Sequence, residues 1–220
     1  MKETAKILIK QFLLLGFFAA AFGYVEGAVA HYLRIHFYPQ GFGTNLELKV
    51  IDTHTLFVEI GREFATMVML VTVAMLSKGS RLRKFANFIY IFGIWDIFYY
   101  ISLYVFEGWP PSIISWDVLF LIPVPWFGPV LAPVLLSLIG VIWAVFTGIF
   151  EEKYGKVKFD KRTVSFVTAG LAISLLSFVI DSPSDTFPEK YHWEIFALSV
   201  VVILTGFVLF LRMNLRQKPG

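Results

Sequence analysis

Apolar residues in this chain run in long blocks, and each block is closed by a short basic, aromatic or proline-rich stretch. A helix needs about 20 apolar residues to cross a hydrocarbon core of ~30 Å. Six blocks reach or approach that length, at 7–30, 56–76, 85–106, 129–150, 164–180 and 193–211. The pattern predicts an all-α bundle of six transmembrane helices forming one integral membrane domain over residues 1–220. The fifth block is the shortest and borrows flanking residues at each end.

The first block also has features of a secretory leader: lysines at 2, 6 and 10, then an apolar run with Ala19, Ala20 and Ala21. Its apolar pattern continues through Val25 and Val29, however. Gly16, Ala20, Gly23 and Gly27 recur at spacings of four, three and four, which makes a smooth stripe for close helix packing. That stripe favours a retained helix.

Between the third and fourth blocks, residues 109–133 read WPPSIISWDVLFLIPVPWFGPVLAP, with six prolines, no basic residue and one acid. Proline at this density breaks regular helix. Non-helical backbone at membrane depth persists only where it is buried in protein or lines a cavity. The expectation is a re-entrant or interface-lying segment on the outer side, the alternative being a kinked start to the fourth helix.

Composition changes little in this picture and excludes much. With 57% hydrophobic residues, 16% charged and a mean hydropathy of +0.72, no separate soluble domain fits. A net charge of +3 and a pI near 9.0 would raise nucleic-acid binding in a soluble chain. Here the basic residues mark topology instead. Lys2, Lys6 and Lys10, then Lys78, Arg81, Arg83 and Lys84, then Lys153, Lys156, Lys158, Lys161 and Arg162, and finally Arg212, Arg216 and Lys218 all fall on one side of the six-helix scheme. Only Arg34, Lys49 and Lys190 fall on the other, and Arg62 lies inside a block. Basic residues concentrate on the cytoplasmic face. The expectation is a multi-pass inner-membrane protein with both termini inside and no nucleic-acid partner. Trp109, Trp116, Trp126 and Trp193 all fall near the opposite, outer side, as an interfacial aromatic belt does.

The charges inside the blocks carry the candidate chemistry. An ionisable side chain at mid-membrane costs roughly 2.5–3.5 kcal/mol or more, so each needs a partner, a cavity or a function. Glu26, Glu59, Arg62, Glu63 and Asp96 are in this position. Glu59, Arg62 and Glu63 share one helix face at i, i+3 and i+4. The economical arrangement points all five at one interior pocket among the first three helices, opening outward. Four acids against Arg62 and nearby Arg34 leave a surplus carboxylate that is protonated or bound to a cation.

The leading expectation is an enzyme acting on a membrane lipid or lipid-linked substrate. Glu63 and Asp96 would exchange protons with Glu59 beside them, Arg34 and Arg62 would hold an anionic group, and Tyr100, Trp116, Asp117 and Trp126 would line the substrate. Glu26, Glu59 and Glu63 with His31 and His54 also offer oxygen and imidazole donors that suit a divalent metal, Zn, Mn or Fe. Zero cysteines exclude disulfides, iron–sulfur clusters and thiol catalysis. Haem is disfavoured by the lack of intramembrane histidine, and nucleotide binding by the lack of a Gly-rich phosphate loop. Two other classes use the same residues: a small proton- or cation-coupled transporter, and an accessory subunit of a larger membrane complex in which the charges form a structural ion-pair network.

The strings HYLR, EIGREFAT, FGIWDIFYY, GWPPS and WDVLFLIPVPWFGPVLAP resemble an uncharacterised family of bacterial six-helix multi-pass membrane proteins. The resemblance covers roughly residues 22–135 and takes in Glu26, Arg34, Glu59, Arg62, Glu63, Asp96 and Asp117. It implies a common six-helix body and supplies no substrate.

Overall fold

The computed structural model describes residues 2–38, 52–182 and 187–217. Lys49 and Lys218 therefore lie outside the described residues. Six helices form in the order expected: α1 Lys2–Phe37, α2 Thr53–Leu76, α3 Arg81–Glu107, α4 Leu131–Tyr154, α5 Lys161–Val179 and α6 Trp193–Leu215. Polar caps set several ends. The Asp52 carboxylate accepts the N–H groups of His54 and Thr55 to start α2, Ser80 accepts Arg83 N–H to start α3, and Asp160 accepts Thr163 N–H to start α5.

Five of the six helices are long and apolar enough to cross a membrane. The exception is α2, because Glu59, Arg62 and Glu63 crowd any membrane-length window within it. It packs against α3 all the same, with Thr66 midway along it donating to Glu26 of α1 and Ser77 at its C-terminal end accepting from Asn87 of α3. The expectation for α1 is corrected at its end. It continues through His31, Arg34 and His36 to Phe37, so its 36 residues rise about 54 Å, well beyond a hydrocarbon core.

The proline-rich segment is neither irregular throughout nor a kinked helix start. It forms an antiparallel hairpin of β1 Trp116–Phe120 and β2 Trp126–Pro129, with Trp116 opposite Pro129 and Phe120 opposite Trp126. Backbone polar groups of 116–120 and 126–129, which no helix takes up, pair across this ladder.

Packing follows the small-residue positions. Helix α1 lies along α3, α3 along α4, and α5 along α6, with β2 against α4 and α5. At Gly23 a Cβ would stand 2.5 Å from the Trp95 carbonyl oxygen, and at Gly93 it would stand 2.7 Å from Val141 Cγ2 and 2.8 Å from the Ser137 carbonyl oxygen. Backbones this close exclude any side chain. Leu15, Ala19, Leu70, Ala74, Ile91 and Trp95 fill the middle of the α1–α2–α3 bundle with apolar atoms.

The bundle has two chemically distinct ends. At one, Gln11 Nε2 donates to Lys78 O at 3.2 Å, Arg83 Nη1 donates to Gly148 O at 3.0 Å, and Lys158 N–H donates to Asn214 Oδ1 at 2.9 Å. These contacts gather the basic α2–α3 and α4–α5 turns with the start of α1 and the end of α6. The other end carries the hairpin and the histidines His31 and His192.

Candidate functional site

Spacing on α2 makes the site. Glu59, Arg62, Glu63 and Thr66 follow at i, i+3, i+4 and i+7, and this polar stripe is the side of α2 turned toward the bundle. Arg62 Nε donates to Glu59 Oε2 at 2.7 Å, and its Nη1 is paired with Glu26 of α1. Thr66 Oγ1 donates to the other Glu26 oxygen at 3.2 Å. Glu63 turns to the hairpin, where both its oxygens accept the Leu121 N–H, at 3.1 and 3.0 Å. From α3, Asp96 Oδ2 accepts Ser137 Oγ of α4 at 2.8 Å. The close α3–α4 approach at Gly93 puts Ser137 within that reach.

These groups surround one cavity of about 70 Å³, walled by Glu26, Arg62, Glu63, Asp96, Tyr99 and Tyr100, with Ala30, Thr66, Trp95 and Val118 to Phe120 completing it. Glu26, Glu63 and Asp96 are 7%, 8% and 8% exposed. Among the described residues Arg62 is the one cation on this wall, and it is already shared between Glu26 and Glu59. The volume holds a few waters, at ~30 Å³ each in the liquid, or a similarly small polar group.

A second polar cluster adjoins the first through Tyr99 and Tyr100. Arg34 Nη1 donates to Glu107 Oε1 at 2.6 Å, its Nη2 donates to Asp117 Oδ1 at 3.3 Å, and its guanidinium lies 3.7 Å above the Trp109 ring. His31 Nδ1 sits 2.8 Å from Glu107 Oε2. Burial pushes the Asp117 carboxyl up to about 6, against the opposing pull of Arg34 and of hydrogen bonds from Val118 N–H, Tyr100 and Tyr99.

Of the residues singled out in the sequence, Glu26, Arg62, Glu63, Asp96 and Tyr100 meet at the cavity, and Glu59 stands one ion pair away. Arg34 and Asp117 belong to the adjoining cluster. Neither arginine stands open to an anion, since each bridges two carboxylates. Trp116 and Trp126 are turned elsewhere: Trp116 stacks on Phe187 and meets Tyr191 edge-on, while Trp126 stacks on Phe178. They anchor the hairpin to the α5–α6 side, and Val118 to Phe120 face the cavity instead.

The donor set Glu26, Glu59, Glu63, His31 and His54 does not converge. Among the described residues no three His, Asp or Glu side chains come together as a metal would require. His31 is held by Glu107, and His54 is exposed in the first turn of α2.

Glu107, Ser137, Thr66, Tyr99 and Trp95 are part of the site and are not among the residues the sequence reading selected for it. Glu107 was within reach of a pattern argument, because Asp96, Tyr100, Leu103 and Glu107 step along one α3 face. Ser137 and Thr66 were not, since a hydroxyl in an apolar helix reveals no partner until the helices are packed.

No protein-family model, curated protein or solved structure matches this chain. The roles of these residues rest on their geometry.

Proposed function

We propose that this membrane protein is an enzyme that carries out acid/base chemistry on the polar end of a lipid or lipid-linked substrate, in the cavity beneath the hairpin. One observation carries the reading. Carboxylates from three helices, Glu26, Glu63 and Asp96, converge on a single void whose one arginine is already shared. A purely structural ion-pair network would close on itself and leave no room. Among the described residues, Asp96 lines the void with no cation paired to it, and Ser137 of α4 donates to its Oδ2. Asp96 is therefore the group that exchanges a proton with substrate. Glu63 holds the hairpin in place, and Glu26 and Arg62 set the charge around the reacting group.

Transport fits less well. Among the described residues, Leu15, Ala19, Leu70, Ala74, Ile91 and Trp95 pack the α1–α2–α3 interior below the cavity with apolar atoms, and no ionisable side chain stands in that cluster. A blind pocket suits chemistry on a bound group. We place the protein in the bacterial inner membrane with both termini in the cytoplasm, because the basic residues cluster at the bundle end opposite the cavity.

The test is turnover. Purified protein is incubated with a total lipid extract and the products are followed by mass spectrometry, for wild type, Asp96→Asn and Glu26→Gln. A lipid species that changes with wild type and at least a hundredfold more slowly with Asp96→Asn is expected. No change in any lipid class with wild type would overturn the reading.

A further inference from the structure

We infer that the turn of the hairpin, residues 121–125, is a lateral gate: it lies at hydrocarbon depth, and its parting from α2 opens the cavity sideways into lipid. As a substrate entrance the gate rests on the enzyme reading above. The closed cavity of about 70 Å³ has room for a few waters, so a group carried on a lipid enters only when a wall moves.

Two contacts fix the depth of the turn. Glu63, which takes the Leu121 N–H, is ten residues along α2 from Thr53, about 15 Å below that end of the helix. Phe120 lies over Phe92 with ring planes 13° apart and centroids 6.3 Å apart, and Phe92 is fifteen residues from the Glu107 end of α3, about 22 Å. Helix α3 rises about 40 Å against a core of ~30 Å. With its whole excess placed at the hairpin end, Phe92 would still lie about 12 Å inside hydrocarbon. The composition of the turn suits that depth. Pro123 and Pro125 have no N–H to leave unpaired, the Leu121 N–H goes to Glu63, and the side chains exposed are Ile122 and Val124.

The seams around the cavity differ in what closes them. Between α1 and α3 it is backbone contact, since a Cβ on Gly23 would stand 2.5 Å from the Trp95 carbonyl oxygen and one on Gly27 2.8 Å from Ser102 Cβ. The hairpin is held to the α5–α6 side by stacked rings, Trp126 on Phe178 and Trp116 on Phe187. Helices α1 and α2 are joined by Glu26 with Arg62 and Thr66, and below them by apolar packing. Between α2 and the hairpin, among the described residues, the hydrogen-bonding link is the Leu121 N–H on Glu63 alone. Strand β1 pairs with β2 on one edge, so no strand holds its other edge. Both banks of this seam are apolar and open, with Phe64 on α2 and Ile122 and Val124 on the turn. Parting it breaks one hydrogen bond, whereas every other seam would lose backbone contact, stacked rings or an ion pair.

The experiment reads access to the cavity wall. The chain has no cysteine, so Thr66→Cys, at a buried position lining the cavity, reports alone, and Ser199→Cys, buried between α5 and α6, is its control. Each is placed in liposomes and treated with N-dodecylmaleimide, which dissolves in the bilayer, or with a sulfonated maleimide present on both faces. Thr66→Cys should react at least tenfold faster with the dodecyl reagent. Adding Glu63→Ala should raise that rate at least tenfold, and Glu63→Gln, which keeps one acceptor oxygen, should raise it less. Ser199→Cys should stay unreactive throughout. If the alanine variant does not reconstitute, the glutamine variant against wild type carries the comparison. Faster reaction with the sulfonated reagent would make the opening aqueous and overturn the inference. So would a rate that neither Glu63 variant changes, an equal rise at Ser199→Cys, or no reaction of Thr66→Cys with either reagent. None of these rates requires turnover: lateral access without turnover of any lipid would sink the enzyme reading and leave the gate, and lipid turnover without lateral access would do the reverse.

Discussion

The carboxylate of Glu63 takes the backbone N–H of Leu121 between its two oxygens, at 3.1 and 3.0 Å, and so fastens the hairpin to α2. Leu121 directly follows β1, whose Val118 to Phe120 wall the cavity. A hydrogen bond to a charged acceptor contributes about 1.5–3 kcal/mol. Its loss in Glu63→Ala should raise amide hydrogen exchange at Leu121 by roughly ten- to a hundredfold, while exchange in the α5–α6 pair stays unchanged. Glu63→Gln keeps one acceptor oxygen and should give a smaller increase. Wild-type protection at Leu121 in Glu63→Ala would show that the hairpin is held by its tryptophans alone.

The crossing of α1 and α3 is set by backbone contact at Gly23, so a side chain there must push the helices apart. Gly23→Ala places a methyl 2.5 Å from the Trp95 carbonyl oxygen and 2.9 Å from Phe98 Cβ. Overpacking of this kind costs about 1–3 kcal/mol. The melting temperature in detergent should fall. Gly61→Ala is the control, since nothing lies within 4 Å of its added carbon and alanine is the better helix former by up to about 1 kcal/mol. A fall in both, or in neither, would contradict the packing at Gly23.

Asp117 gives the adjoining cluster a pH dependence with a definite sign. Burial raises its carboxyl from 3.8 to about 6, so the folded protein keeps a proton that the unfolded chain has lost over that interval. The group's contribution to stability is fully present below about pH 4, falls as pH rises through about 6, and is flat above. In infrared difference spectra a protonated-carboxyl band should titrate near pH 6 and vanish in Asp117→Asn. Arg34→Met removes the opposing cation and should move the midpoint upward. A band unaffected by Asp117→Asn would assign the titration to another acid.

Hydropathy made the six helices legible, because lipid and protein interior select the same apolar side chains. For the same reason it did not show which face of each helix meets lipid. The ends of α1 illustrate the limit: His31 and Arg34 read as a loop by polarity, although they continue the helix and are satisfied by Glu107 across the bundle. The hairpin was hidden by its prolines, which mark a break in helix without saying what replaces it. The i, i+3, i+4 spacing on α2 foretold a shared face for Glu59, Arg62 and Glu63. That Arg62 would be spent on two glutamates, and that Trp116 and Trp126 would turn toward α5 and α6, depended on tertiary distances that no spacing encodes.

Whether α2 crosses the membrane decides the orientation of everything after it. Its three charges set it apart from the five clearly apolar helices, yet Glu59, Arg62, Glu63 and Thr66 all have partners inside the protein, so the helix presents mainly Phe57, Phe64, Val68 and Leu76 outward. Charges satisfied in this way carry little of the penalty for exposure to hydrocarbon. If α2 crosses, Lys10 at the start of α1 and Lys153 at the end of α4 lie on one side and Ser112 before the hairpin lies on the other. If it does not, Lys10 and Lys153 lie on opposite sides. The chain contains no cysteine, so Lys10→Cys, Ser112→Cys and Lys153→Cys each report alone. With a membrane-impermeant maleimide on intact cells, Ser112→Cys should label directly, and Lys10→Cys and Lys153→Cys only after permeabilisation. Labelling of Lys153→Cys but not Lys10→Cys in intact cells would remove α2 from the spanning set and, with it, the outward placement of the cavity.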